Sequence, residues 1–127
     1  MTSKTQRIDD FGAFDATLAS ALTGSGRVFA VLFASEDPAT GESWCPDCRV
    51  SDPLIKKAIS KVADSTLLLV PTGDRPTWRN PEHPYRKHEN LKVTNVPTLY
   101  EFGKDGKVIK KLVEAEITEQ SLEAFIA

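Results

Sequence analysis

The sequence predicts an α/β domain built on a central mixed five-stranded sheet, flanked by helices on both faces. Three observations carry this. Strand-like runs alternate with stretches of helical periodicity through the first half of the chain, which implies parallel strands with helical crossovers. Residues 28–34 are apolar at all seven positions, as in a strand covered on both faces. A Lys104-Asp105-Gly106-Lys107 turn joins two further strand-like runs, so antiparallel strands extend the parallel part.

Each element follows in order. A short strand is predicted over 5–8. Asp9 or Asp10 can then cap a helix whose apolar residues Phe11, Phe14, Leu18 and Leu22 recur at spacings of 3, 4 and 4. Gly24-Ser25-Gly26 stops it. After the strand at 28–34, the polar loop 35–43 carries Glu36, Asp37 and Glu42 and no positive charge. Val50, Leu54, Ala58 and Val62 then recur every fourth residue, which predicts a helix kinked at Pro53. A second buried strand is predicted over 66–70. The segment 71–95, with Pro71, Pro76, Pro81 and Pro84, reads as irregular apart from a short helix near 85–90. Strands follow over 97–102 and 108–113. Thr118 caps a last helix with Leu122, Phe125 and Ile126 inward.

Composition narrows the class of function. The 127 residues suit one domain, taken here as 1–127. A net charge of −2 argues against electrostatic binding of nucleic acid or of a membrane surface. The longest apolar run is far short of the roughly 20 residues that span a bilayer. Residues 1–7 carry positive charge with no apolar stretch behind them, so no secretory leader is expected and the cytoplasm is the expected compartment.

The chain has two cysteines, Cys45 and Cys48, inside Trp44-Cys45-Pro46-Asp47-Cys48, where a strand and its loop hand over to a helix. Two residues between the sulfurs place the first thiol at the helix N-terminus and the second one turn in, so a disulfide between them is feasible. Unpaired N–H groups and the positive end of the helix favour a thiolate at Cys45. Cys45 is then the attacking sulfur and Cys48 resolves the mixed disulfide. Pro46 suits the first helical position. Asp47 favours the helix but opposes a neighbouring thiolate, so both are read as tuning residues. Other readings stay open at this point. His83 and His88 form H-x4-H and would complete Cys2His2, but 34 residues separate Cys48 from His83, against about 12–15 in the usual zinc finger. Two inert buried thiols, or an interaction module whose thiols matter little, are the others.

These residues resemble the thioredoxin superfamily. The supporting features span most of the chain: Trp44-Cys45-x-x-Cys48, Pro53 eight residues after Cys45, Val96-Pro97-Thr98 opening a strand, and Gly103 to Gly106 at the hairpin. Within it, Ser43-Trp44-Cys45-Pro46-Asp47-Cys48, the acidic loop before it, Pro76 to Pro81 and Lys92 to Thr98 resemble the thioredoxin-related fourteen-kilodalton proteins, the thioredoxin domain-containing protein 17 or Clot group. The resemblance implies a thioredoxin-like fold and a cytosolic, monomeric disulfide reductase with no bound cofactor or metal. It implies recharging by NADPH-dependent thioredoxin reductase. It implies substrates such as cystine, other small disulfides, and glutathionylated or nitrosylated proteins. It also implies a cis Pro97 facing the active-site disulfide, with Trp44, Val96 and Pro97 contacting substrate.

Two departures from ordinary thioredoxin stand out. Val31 occupies the place of the buried strand carboxylate that accepts a proton from the second cysteine. The loops 35–43 and 71–95 are longer, and both are expected on the active-site side of the sheet. Arg75, Arg79, Arg86 and Lys87 are expected to cluster in the second loop. Trp78 with Arg75 and Arg79 suggests either a glutathione carboxylate site or a loop packed down by Trp78. His83 and His88 are expected on the surface, and Lys110-Lys111 on a solvated strand edge.

Overall fold

The computed structural model describes residues 3–24 and 26–127. Five strands form one sheet: β1 (Lys4–Arg7), β2 (Val28–Phe33), β3 (Thr66–Pro71), β4 (Thr98–Phe102) and β5 (Val108–Val113). Their order across the sheet is β1-β3-β2-β4-β5. β1 and β2 run parallel to β3, while β4 and β5 are antiparallel to their neighbours. The mixed five-stranded sheet is thus the one the sequence predicts.

The topology dictates where the helices lie. From β1 the chain passes over β3 to reach β2, then returns to β3. Right-handed crossovers in opposite directions put their helices on opposite faces. The first crossover holds α1 (Phe14–Leu22), and the second holds α2 (Pro46–Ile59). The side chains of β2 alternate accordingly. Val28, Ala30 and Leu32 pack with Phe14 and Leu18 of α1. Phe29 and Val31 pack with Ile55 and Ile59 of α2 and with Leu122 and Phe125 of α5 (Glu119–Ile126). Two cores, one per face, explain why residues 28–34 are apolar throughout.

Helix details depart from the sequence expectations. A 3-10 turn over Phe11–Ala13 precedes α1, and the Asp10 side chain makes no capping bond. Phe11 lies out on the surface, its ring edge against Tyr85 at 4.8 Å. α1 ends at Leu22; the Gly24-Ser25-Gly26 stop involves Ser25, which lies outside the described residues. The buried face of α2 is Cys48, Ser51, Ile55, Ala58 and Ile59, whereas Val50 is 66% exposed. A strict four-residue repeat drifts by about 40° per step on a helix of 3.6 residues per turn, so the Val50–Leu54–Ala58–Val62 row slides off the core. The helix continues through Pro53.

The segment 71–95 is more ordered than expected. It holds α3 (Arg75–Arg79) and α4 (Pro84–Lys87). Asp74 caps α3, accepting from the Thr77 N–H at 3.0 Å. Pro76 and Pro84 sit in the first turns of these helices, where a missing N–H costs nothing. At the hairpin Gly106 takes φ +86°, a conformation that glycine adopts without strain. Thr118 caps α5 as expected, with its hydroxyl accepting from the Ser121 N–H at 3.0 Å. Arg27 closes the sheet against α5. It forms a bidentate pair with the buried Glu101 at 2.8 and 2.9 Å and donates to the Ile126 carbonyl at 2.6 Å.

Candidate redox site

Cys45 and Cys48 lie beside the C-terminal end of β2, where the α2 crossover toward β3 begins. Open α/β sheets place their sites outside the carboxyl ends of their strands. Cys45 is the N-cap residue of α2, and Pro46 takes its first position. The Cys48 N–H, one of the unpaired donors of the first turn, donates to Cys45 Sγ at 3.3 Å. The Cys45 thiol in turn faces the Val96 carbonyl at 3.8 Å. Both cysteines are free thiols, 7% and 2% exposed.

Four hydrogen bonds close a ring around the pair. The Ala34 N–H donates to Cys48 Sγ at 3.5 Å. The Ala34 carbonyl accepts from Ser43 Oγ at 2.7 Å. Ser43 Oγ accepts from the Cys45 N–H at 3.3 Å. The Cys48 N–H on Cys45 Sγ completes it. Arg49 pins the same corner, donating to the Ser43 carbonyl at 2.7 Å. Sequence reasoning did not single out Ser43, Ala34 or Arg49; Ser43's place inside the motif was the only clue.

Burial pushes the Cys48 thiol up to about 12, with the Cys45 sulfur adding to that; the Ala34 N–H and the Ser43 hydroxyl work the other way. A cleft of about 310 Å³ opens beside this thiol. Its inner wall is Val31, Ile55, Leu69 and Pro97, and its mouth is charged. Val31 is buried at 3% exposure, so β2 offers no carboxylate there. At the mouth Glu36 is held by Arg7 at 2.9 and 3.0 Å, which lowers its carboxyl, and Asp52 pairs with Lys56 at 3.2 Å.

The structure brings the other expected site residues to the same place. The Val96–Pro97 peptide is cis, and both residues are buried with the Val96 carbonyl toward Cys45. Trp44 is half-buried; its Nε1 donates to the Gly73 carbonyl at 3.0 Å and the Arg75 guanidinium lies 4.7 Å over its ring. Gly73 takes φ +105°, and a Cβ there would sit 2.9 Å from the Thr77 side chain. The Ser35 N–H also donates to the Gly73 carbonyl, at 3.1 Å. The loops 35–43 and 71–74 are thus tied together beside the dithiol. Pro46 and Asp47 are exposed on the outer surface of the first turn.

Other expectations need correction. His83 is buried, not on the surface: its ring packs against Trp78 at 5.1 Å, and its Nε2 meets the Thr72 carbonyl at 2.6 Å. His88 is half-buried, with Nε2 on Asp15 at 2.8 Å and Nδ1 accepting from the Asn90 and Leu91 N–H groups. His83 is committed to its own loop and His88 to α1 and its own loop, and among the described residues no three His, Cys, Asp or Glu side chains are grouped to hold a metal. Of the two readings of Trp78, the packed loop is the one seen: the ring is buried, with Arg86 stacked 3.8 Å over it and bonded to its carbonyl. Three of the four loop cations have separate commitments: Arg86 to Trp78 and Thr94, Lys87 to Glu82, Arg75 to Trp44. Arg79 is exposed. Lys110 and Lys111 are both exposed on the edge strand β5, as expected, and the Lys110 ammonium also donates to the Phe125 carbonyl at 2.9 Å.

A mixed sheet of this order with a reduced Cys-x-x-Cys pair at a helix start defines the thioredoxin class. Solved structures agree on the fold. Thioredoxin O2 from Arabidopsis thaliana superposes with a TM-score of 0.66 over 96% of this chain and 90% of its own, at 21% identity. More specifically, the chain belongs to the thioredoxin domain-containing protein 17-like family, whose thioredoxin-domain model matches residues 7–126. It is 42% identical to the thioredoxin-like protein Clot of Arabidopsis thaliana, over 72% of this chain and 69% of that one. It is 33% identical to human thioredoxin domain-containing protein 17, over 77% and 76%. Among the described residues no helix is long and apolar enough to cross a membrane.

Proposed function

We propose that this protein is a thiol–disulfide oxidoreductase working as a reductase, with Cys45 the attacking and Cys48 the resolving thiol. The observation that carries this is the cap geometry: Cys45 Sγ sits at the start of α2 and accepts the Cys48 N–H at 3.3 Å. A helix N-terminus with a donor on sulfur favours the charged form that attacks disulfides. The Cys45 thiolate displaces one substrate sulfur and forms a mixed disulfide. Cys48 loses its proton and attacks Cys45 Sγ. The second substrate sulfur leaves with the electron pair and takes up a proton, and a Cys45–Cys48 disulfide remains.

The finer reading follows the family. NADPH-dependent thioredoxin reductase returns the disulfide to the dithiol. Cystine, other small disulfides and glutathionylated or nitrosylated proteins are the substrates, and the cytoplasm is the compartment. Trp44 and the Val96–Pro97 backbone line the approach to Cys45 and position the substrate.

An NADPH-oxidation assay with thioredoxin reductase, comparing cystine, a glutathionylated peptide and insulin, tests this reading. NADPH should be consumed with the first two substrates, and consumption should vanish in Cys45→Ser. Consumption that survives Cys45→Ser would overturn it.

A further inference from the structure

The resolving thiol poses a chemical problem. Cys48 is buried, and the strand beside it presents Val31 rather than a base. Charged groups face it from several elements: Cys45 at the helix cap, Arg7 from β1, Glu36 and Glu42 from the loop, and Arg49, Asp52 and Lys56 from α2. Glu36 and Asp52 are held by Arg7 and Lys56. From β2, β3 and the residue before β4 the cleft wall is apolar, made by Val31, Leu69 and Pro97. What the structure does supply next to Cys48 is hydrogen-bond donors: the Ala34 N–H at 3.5 Å, and the Ser43 hydroxyl, which sits in the same four-bond ring.

We propose that Ser43 is a catalytic residue of the resolving step: as Cys48 ionises, the Ser43 hydroxyl turns from the Ala34 carbonyl to the Cys48 sulfur. Together with the Ala34 N–H it holds the thiolate. A serine hydroxyl can rotate between acceptors while Oγ keeps the Cys45 N–H it already accepts. The proton from Cys48 passes to solvent water in the cleft. The electron pair on Cys48 Sγ forms the bond to Cys45 Sγ, the bond from Cys45 to the substrate sulfur breaks, and the departing thiolate takes a proton from solvent. The inference rests on the roles given to Cys45 and Cys48 above and adds how the second one is activated without a carboxylate.

The test uses the reduced full chain mixed with one equivalent of 5,5′-dithiobis(2-nitrobenzoate), followed by stopped-flow absorbance. Cys45 attack releases the first thionitrobenzoate and Cys48 attack on the adduct releases the second. A hydrogen bond to a charged group is worth roughly tenfold or more, so Ser43→Ala should slow the second release about tenfold at neutral pH and raise its pH midpoint by about one unit. The first release should stay within about threefold, and Ser43→Thr, which keeps the hydroxyl, should recover the second. Ser43→Gly serves as a second hydroxyl-free variant, with thermal unfolding to confirm that each variant is folded. Asp52→Asn should leave the second release unchanged. An unshifted midpoint in both hydroxyl-free variants, an equal slowing of both releases, or a shift produced by Asp52→Asn instead would overturn the role of Ser43 alone. Absence of the second release in the unmodified protein would overturn the resolving role of Cys48 and the inference with it.

Discussion

At the scale of single residues, the two sulfurs of one motif differ because of where a helix begins. Cys45 caps α2 and Cys48 lies one turn in, 2% exposed. Burial lifts the Cys48 thiol from its ordinary 9.0 to about 12. Iodoacetamide at near-neutral pH should therefore alkylate Cys45 well ahead of Cys48, read by peptide mass spectrometry; preferential labelling of Cys48 would contradict the assignment. The same burial has a consequence for stability. Between pH 9 and about 12 the folded chain keeps a proton on Cys48 that the unfolded chain has lost. This contribution is complete below pH 9 and is lost as pH rises toward about 12. The melting temperature of the reduced protein should fall over that interval more steeply than that of Cys48→Ala. Parallel curves would contradict it. The motif residues were legible because a helix start imposes Pro46 and the Cys-x-x-Cys spacing. His83 was not, because a polar ring in a proline-rich stretch reads alike whether exposed or buried; the Thr72 carbonyl and the Trp78 ring decide it. Trp78 was legible as a residue that packs its loop down, and its burial under Arg86 bears that out.

At the scale of elements, α2 was legible in extent and not in orientation. The apolar row chosen from spacing includes Val50, which faces solvent, and omits Ser51, which faces the core. Ser51 carries no hydrophobic signature, and one polar residue in a short helix is enough to rotate the inferred face. α3 was hidden by Pro76, which looks like a breaker until the cap at Asp74 shows that it opens a helix, while the short helix expected near 85–90 is α4, begun slightly earlier at Pro84. The long loops were legible as insertions, and the structure sets them beside the dithiol, joined through Ser35, Gly73 and Trp44. Within 35–43 the tip turns on Asp37, which accepts from the Thr40 and Gly41 N–H groups, while Glu36 and Ser43 form the base. Deleting residues 38–40 should leave the base and the dithiol ring intact. Reduction of a broad substrate such as insulin should then rise, with cystine reduction about unchanged. If both rates move in parallel while the variant stays folded, the loop does not set substrate choice.

For the whole molecule, the mixed sheet follows from the alternation of strands and helices and from the final hairpin, and the all-apolar β2 announced a strand with a core on each face; the strand order came from the structure alone. What periodicity could not show was the latch that closes the far end. Glu101 is 4% exposed and sits on β4, where Arg27 reaches it from before β2 and also holds the Phe125 and Ile126 carbonyls of α5. An isolated glutamate in a strand pattern reads as an outward residue. Arg27→Ala would leave that buried carboxylate with only Lys110, 3.8 Å away, in place of the bidentate guanidinium, at a cost of about 2 kcal/mol in urea unfolding. A loss below about 0.5 kcal/mol would mean that water replaces the guanidinium there without penalty.

The proposed reaction comes down to one chemical claim: substrate sulfur is held on Cys45 until Cys48 removes it. Mass spectrometry of Cys48→Ser after exposure to oxidised glutathione tests this most directly. The account predicts a single glutathione on the peptide bearing Cys45, stable until a dithiol is added, whereas the unmodified chain passes on to the Cys45–Cys48 disulfide. A Cys48→Ser chain that carries no adduct, or that turns over glutathione disulfide as fast as the unmodified chain, would contradict it.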